Sequence, residues 1–272
     1  MKYRQAQTIK SGFHSSLCGI CIDRKDRLYV AGDYGVNTFD AAGAPGGQWS
    51  TARPGLCVAV SEDGAAWVGE AGQVEVFDAA GKLTRTWRDP QRLGEVTAIG
   101  FHHDDVLVAD ANDRAIRRFD KSGRFINNIG KENRLGGFLI PNGVLDFCVD
   151  AAGIIHAANP GKHRVERYNL DGHLLGAIGR FDGVDPEGFS GCCNPTNLAL
   201  GEHGRVYVTE KADPRAKVLD AHGKLVAVIA THEFDPNAKN MDVAVDSRGR
   251  VYVADTEKRT IVVFEPDSGG HA

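Results

Sequence analysis

Short runs of alternating apolar and polar residues fill the chain, and the runs recur in a fixed order. An apolar run meets an Asp/Gly turn, and a second run then ends in an acid or amide. A short polar turn follows, and a third run closes on an aromatic or apolar residue and an acid or amide. Its copies are Leu28–Asp40, Ala66–Asp78, Val106–Asp120, Ile155–Asn169, Val206–Asp220 and Val251–Glu265. The closing Phe39, Phe77, Phe119, Tyr168, Leu219 and Phe264 are spaced by 38, 42, 49, 51 and 45 residues. Six copies of about 45 residues fit propeller blades, each a four-stranded antiparallel sheet.

Each copy predicts four strands. The first is read in CGICID, LCVAVS, LDFCVD, TNLALG and MDVAVD, the second in the VYVAD-like run, and the third in the run closing the phrase. The fourth follows a Gly turn, as in GKLTRTW, GRFINNIG, GHLLGAIG and GKLVAVIA. The last copy lacks a fourth strand, while Tyr3–Lys10 is a strand-like segment ahead of the first copy. That segment is expected to pair in the last blade, which closes the ring and covers an open edge. The reading is an all-β, six-bladed β-propeller occupying 1–272 as one domain.

Composition narrows the function classes. The 272 residues are 42% hydrophobic and 25% charged, which excludes a disordered or collagen-like chain. A net charge of −4 supplies no uniform field for nucleic acid, so nucleic-acid binding is disfavoured. No apolar run approaches the roughly 18 residues of a membrane span. MKYRQAQTIK has no apolar signal-peptide core, so a cytoplasmic location is expected. The six cysteines do not suggest a disulfide scaffold in a chain of this length.

Strand alternation puts the turns between second and third strands on the same face as the connections between blades. The unusual phrases NPGKHR (Asn159–Arg164), EKADPR (Glu210–Arg215) and FSGCCNPT fall there, as do the connections Lys131–Gly143, Arg180–Pro195 and Thr231–Asn240. Long loops on one face of a rigid scaffold are where binding concentrates. A protein partner or small ligand on this face is the first reading.

Cys192-Cys193 is the sharpest feature. Adjacent Cα atoms lie about 3.8 Å apart, below the usual disulfide span of roughly 4.4–6.8 Å. In an extended chain the two thiols diverge, so joint chemistry needs a bend, which Gly191 and Pro195 can supply. A thiol-dependent redox or metal enzyme built on Cys192 and Cys193, with His163 as helper, is the second reading. His14 stands at a comparable strand start in the first blade, so His14, Cys192 and Cys193 are candidate ligands for a divalent metal such as zinc. Lys162, Arg164, Asn194, Glu210, Lys211, Arg215 and Lys217 are candidate ligand-binding residues, the lysines and Arg215 as a cationic rim. The recurrent Asp110, Asn159, Glu210 and Asp255, with Arg114, Arg164, Arg215 and Arg259, also fit turn tightening. Cys21 and Cys148 occupy packing positions, Cys18 and Cys57 are weak ligands, and His102-His103 fall on the opposite face. RNA binding by the same loops is a third reading, through local Lys and Arg.

The phrase DVAVDSRGRVYVADTEKRTIVVFE in the last copy is close to the NHL repeat, and the pattern resembles NHL-repeat propellers along the full chain. NPGKHRVE, FSGCCNPTNLAL and EKADPRAKVLD together resemble a bacterial NHL subgroup with a GCCNP motif. The resemblance implies one of several activities, since such propellers include protein binders, RNA binders and lyases. Amidating lyases of this shape hold zinc on several axial histidines, of which only His14 has a counterpart. Lactonases of similar shape use axial Glu, Asn and Asp. Glu95, Asn194, Asn197 and Asp242 lie near the right strand ends without matching that pattern.

Overall fold

A computed structural model describes residues 1–131 and 137–267. Within the connection 131–143, positions 132–136 lie outside the described residues. The chain forms six four-stranded antiparallel sheets in a ring, the all-β propeller that the repeat predicts. The strand opening the chain is β1 (Tyr3–Lys10). Blade 1 follows with β2 (Leu17–Ile22), β3 (Leu28–Gly32), β4 (Gly35–Phe39) and β5 (Pro45–Ser50). Blade 2 holds β6 (Cys57–Val60), β7 (Ala66–Glu70), β8 (Gln73–Phe77) and β9 (Leu83–Arg88). Blade 3 holds β10 (Val96–His102), β11 (Asp105–Asp110), β12 (Ala115–Asp120) and β13 (Phe125–Ile129). Blade 4 holds β14 (Phe147–Val149), β15 (Ile155–Asn159), β16 (Arg164–Tyr168) and β17 (Leu174–Ile178). Blade 5 holds β18 (Asn197–Leu200), β19 (Val206–Glu210), β20 (Arg215–Leu219) and β21 (Leu225–Ala230). Blade 6 holds β22 (Val243–Val245), β23 (Val251–Asp255) and β24 (Thr260–Pro266), and its fourth strand is β1.

β1 pairs antiparallel with β24, Lys10 opposite Thr260 and Tyr3 opposite Pro266, so the ring closes as the sequence implies. The closing acid or amide of each of the first five copies has a local purpose. The side-chain oxygen of Asp40, Asp78, Asp120, Asn169 and Asp220 accepts two backbone N–H groups of the following turn. Gly43, Gly81, Gly123, Gly172 and Gly223 supply the positive φ that such a turn demands. These turns lie at what we term the lower end. The opposite, upper end carries the turns after β3, β7, β11, β15, β19 and β23 and all the connections between blades. Among those connections 130–146, 179–196 and 231–242 are long, against 51–56 and 89–95.

Apolar side chains fill the spaces between neighbouring sheets. Phe119, Phe138, Phe189, Phe264 and Leu107 are fully buried there. The first strands line an axial cavity of about 310 Å³, whose wall includes Cys21, Cys57, Cys148, Asp146 and Asp242.

Candidate functional site

Four buried residues at the ends of second strands hold the upper loops in place. Asp110 accepts the Gly94 N–H at 3.2 Å, Asn159 the Leu139 N–H at 3.1 Å, Glu210 the Ser190 N–H at 3.2 Å and Asp255 the Asp235 N–H at 2.8 Å. Each therefore clasps the connection that enters its own blade. The recurrence seen in the sequence is structural at these positions. The arginine partners differ from the simple turn pair. Arg114, His163 and Arg259 adopt left-handed backbone conformations. The carbonyls of Arg114 and Arg259 accept N–H groups from Phe138 and Ser11 of incoming connections. Only Arg215 pairs directly with its strand-end acid, Glu210.

The loop 179–196 carries the two thiols. Gly191 turns it at φ +72°, bends continue through Cys193, and the Asn194–Pro195 peptide is cis. The buried Asn194 amide fixes the bend. It donates to the carbonyls of Ser190 at 2.7 Å and Lys211 at 3.1 Å, and accepts the Lys211 N–H at 2.8 Å. The sulfurs consequently lie on one side, with the Cys193 S–H donating to Cys192 across 3.0 Å, and neither forms a disulfide. Cys192 is exposed and Cys193 buried. The hydrogen bond from Cys193, aided by the Lys211 charge, pulls the Cys192 pKa below its ordinary value. Burial, and the bond it donates, push Cys193 the other way.

Two of the singled-out phrases touch, and the third reaches the loop that carries the thiols. Lys211, in the EKADPR turn, touches the GCCNP bend through its backbone and donates its ammonium to Asn142 Oδ1 of the preceding blade's loop. His163, in the NPGKHR turn, sets its ring edge-on to Phe181 with centroids 4.9 Å apart. Burial depresses its pKa, and its Nδ1 is buried without a hydrogen-bond partner among the described residues. Phe181 is 61% and Val184 93% exposed, so two apolar side chains stand out from this braced loop. Neither was singled out in the sequence, although both fall within the long connection Arg180–Pro195.

Most of the anticipated cationic rim is spoken for. Glu166, fully buried, accepts hydrogen bonds from Arg164, Lys162 at 3.4 Å, Asn159 at 3.0 Å and Tyr168 at 2.5 Å. Burial alone would raise its pKa, and these donors outweigh that and lower it. Arg215 meets Glu210 with two bonds of 2.7 and 2.9 Å. Lys217 departs furthest from the expectation of a rim cation. It is 0% exposed, with Nζ at 3.0 Å from Glu210, 2.9 Å from the Pro186 carbonyl and 4.2 Å from the Phe189 ring centroid. Of the four rim candidates, Lys211 alone is neither buried nor, among the described residues, drawn onto a carboxylate.

The metal expectation finds no support in the structure. Among the described residues no group of three or more His, Cys, Asp or Glu side chains could hold a metal ion. His14 is exposed in the loop before β2, anchored by its backbone N–H on Asp33, and does not complete a cluster with Cys192 and Cys193. A helix long and apolar enough to cross a membrane is absent among the described residues.

The axial cavity holds two acids. Asp242 accepts the Ile20 and Val243 N–H groups, and Asp146 those of Leu198 and Phe147, so each ties its blade to the next. Burial pushes Asp242 up to about 6; burial, then the neighbouring Asp242 charge, lifts Asp146 well above the carboxylate range. Asp146 went unnoticed, although the Leu-Asp and Met-Asp pairs ahead of β14 and β22 were its signal. Cys57 and Cys148 donate to backbone carbonyls, and burial raises both. Burial likewise raises Cys21, to about 12, and Cys18.

No protein-family model matches the chain, and no curated protein matches it in sequence. Solved structures do match in shape. Virginiamycin B lyase from Staphylococcus aureus aligns at TM-score 0.68 and 12% identity, over 97% of this chain and 100% of that one. A chain of the mitotic checkpoint complex aligns at TM-score 0.70 and 11% identity, over 96% and 91%. The WD40 propeller domain of Doa1 aligns at TM-score 0.65 and 15% identity, over 93% and 79%. At such identities the likeness establishes the propeller fold alone.

Proposed function

We propose that the protein is a docking propeller of NHL type, whose upper end at blades 4 and 5 binds a protein partner or small ligand. The observation that carries this reading is the exposure of Phe181 and Val184 on a loop braced from both sides. Apolar side chains held on a rigid rim resemble the anchors around which interfaces form. Lys211 and Cys192 supply the polar part of the proposed surface. Lys162, Arg164, Asn194, Glu210 and Arg215 hold its frame, with His163 packed behind Phe181. Membership of a propeller chain in the mitotic checkpoint complex agrees with this use of the fold.

A photo-crosslinking residue placed at Val184 is expected to capture a discrete partner in cells that express the protein. The same residue at Glu202, exposed at the lower end of blade 5, is expected to capture none. Phe181→Asp is expected to abolish capture. Crosslinks formed only from Glu202 would overturn the reading. A second reading, thiol-dependent catalysis at Cys192 with His163 as helper, draws support from the lowered Cys192 pKa. It predicts that Cys192→Ser removes an activity while leaving capture at Val184 intact.

A further inference from the structure

We infer that Cys192 and Cys193 form a reversible dithiol–disulfide site, oxidised by hydroperoxides and reopened by small thiols. The inference stands on the thiols themselves and does not depend on docking.

Geometry assigns the two roles. Cys192 is exposed and can meet an oxidant, whereas Cys193 is buried behind it with its sulfur already in contact. An extended chain would send neighbouring side chains to opposite sides. The bend at Gly191 and the clamp from Asn194 onto Ser190 and Lys211 hold them on one side. Lys211 brings a positive charge to the same bend, which favours thiolate at Cys192. The other four cysteines compete poorly, because Cys18, Cys21, Cys57 and Cys148 are partly or wholly buried, which favours their protonated thiols. Oxidation follows thiolate character and exposure, which selects Cys192.

The chemistry balances with hydrogen peroxide as the two-electron oxidant. The Cys192 thiolate attacks one peroxide oxygen: an S–O bond forms, the O–O bond breaks, and hydroxide leaves and takes a proton to become water. Cys193, giving up its proton, attacks the Cys192 sulfenic sulfur. The S–S bond forms, the S–O bond breaks, and a second water leaves. A bond between neighbours is strained, because their Cα atoms lie closer than a relaxed disulfide allows. Strained disulfides are readily reduced, so this one suits a switch better than a staple.

The test treats the full-length reduced protein with a small excess of hydrogen peroxide and follows intact mass and peptide maps. The expected product has lost two hydrogens, carries both modified sulfurs in the peptide containing 192–193, and regains its mass with dithiothreitol. Cys193→Ser is expected to stop at a Cys192 sulfenic acid trapped by dimedone. Cys192→Ser is expected to react at least about tenfold more slowly, since a buried, protonated thiol is the poorer nucleophile. Two results would overturn the proposal: accumulation of sulfinic acid at Cys192 in the unmutated protein without loss of two hydrogens, or a disulfide that maps to any other pair. Equal rates for Cys192→Ser and the unmutated chain would also overturn it.

Discussion

Removing the Glu210 carboxylate should destabilise the protein more than removing the lysine it neutralises. Glu210 is fully buried, and its two oxygens accept from Arg215 at 2.7 and 2.9 Å, Lys217 at 3.0 Å and Ser190 N–H at 3.2 Å. Glu210→Ala strands a Lys217 ammonium that has 0% exposure, against carbonyl oxygens and the Phe189 ring, with Asp185 as a more distant acid. Breaking a buried pair from one side costs about 3–5 kcal/mol, and the Ser190 clasp is lost as well. At about 2–4 °C per kcal/mol for a domain of this size class, Tm should fall by roughly 6–20 °C. Lys217→Met is the contrast. It leaves the two-bonded Glu210–Arg215 pair intact, keeps an apolar stem against Phe189, and forfeits the Glu210 ion pair and the bonds to the Pro186, Glu187 and Gly188 carbonyls, about 1–3 kcal/mol. The double variant, lacking both charges, should be more stable than Glu210→Ala alone. Urea unfolding followed by tryptophan fluorescence measures all three. The reasoning fails if Glu210→Ala loses less than about 1 kcal/mol, or if Lys217→Met loses more than Glu210→Ala.

Three further outcomes follow from the ring. Asp242 and Asp146 have folded-state pKa values above the unfolded value near 4. The folded chain therefore holds protons that the unfolded chain has released, and the stability they contribute is complete below pH about 4 and is lost as pH rises through the folded values. Asp242→Asn should flatten the fall in urea midpoint between pH about 4 and 7, and an unchanged slope would refute the assignment. Ile9, 5% exposed on β1, closes the core between blades 6 and 1. Ile9→Ala should cost about 2–4 kcal/mol, whereas deletion of 1–10 should bare the edge of β24 and produce oligomers in size-exclusion chromatography.

The blades were legible because their determinants are local. Period-two alternation marks the strands, Asx turns with Gly at positive φ mark the turn before the fourth strand in the first five copies, and the segment Tyr3–Lys10 had one open edge to fill. The two ends of the ring followed from strand direction alone. Partners across a blade were harder, because several residues compete within a few positions. The recurrence in the sequence put Asp110, Asn159, Glu210 and Asp255 to turn tightening, without naming a side-chain partner for them. The folded chain pairs three of the four strand-end residues with the side chain seven positions on, each at 3.0 Å: Asp110 with Arg117, Asn159 with Glu166, and Glu210 with Lys217. Hairpin register explains the seven. Asp110, Asn159 and Glu210 end their second strands, and a tight turn returns the third strand with Arg117, Glu166 and Lys217 on the buried face. A charged residue at that inward position is the visible signal, since an apolar residue would suffice there, as Val262 does in blade 6.

The same register decides the chemistry left at the rim. Each inward charge is met by a partner within its own blade, so blades 4 and 5 consume Lys162, Arg164, Arg215 and Lys217 on Glu166 and Glu210. Lys211 sits one residue beyond the strand end and outside that pairing rule. Its ammonium reaches instead across to Asn142, while its backbone clamps Asn194. The cation left beside Cys192 is thus the one that the repeat does not need, and for that reason a substitution there, Lys211→Met, should slow oxidation of Cys192 while leaving the urea midpoint nearly unchanged.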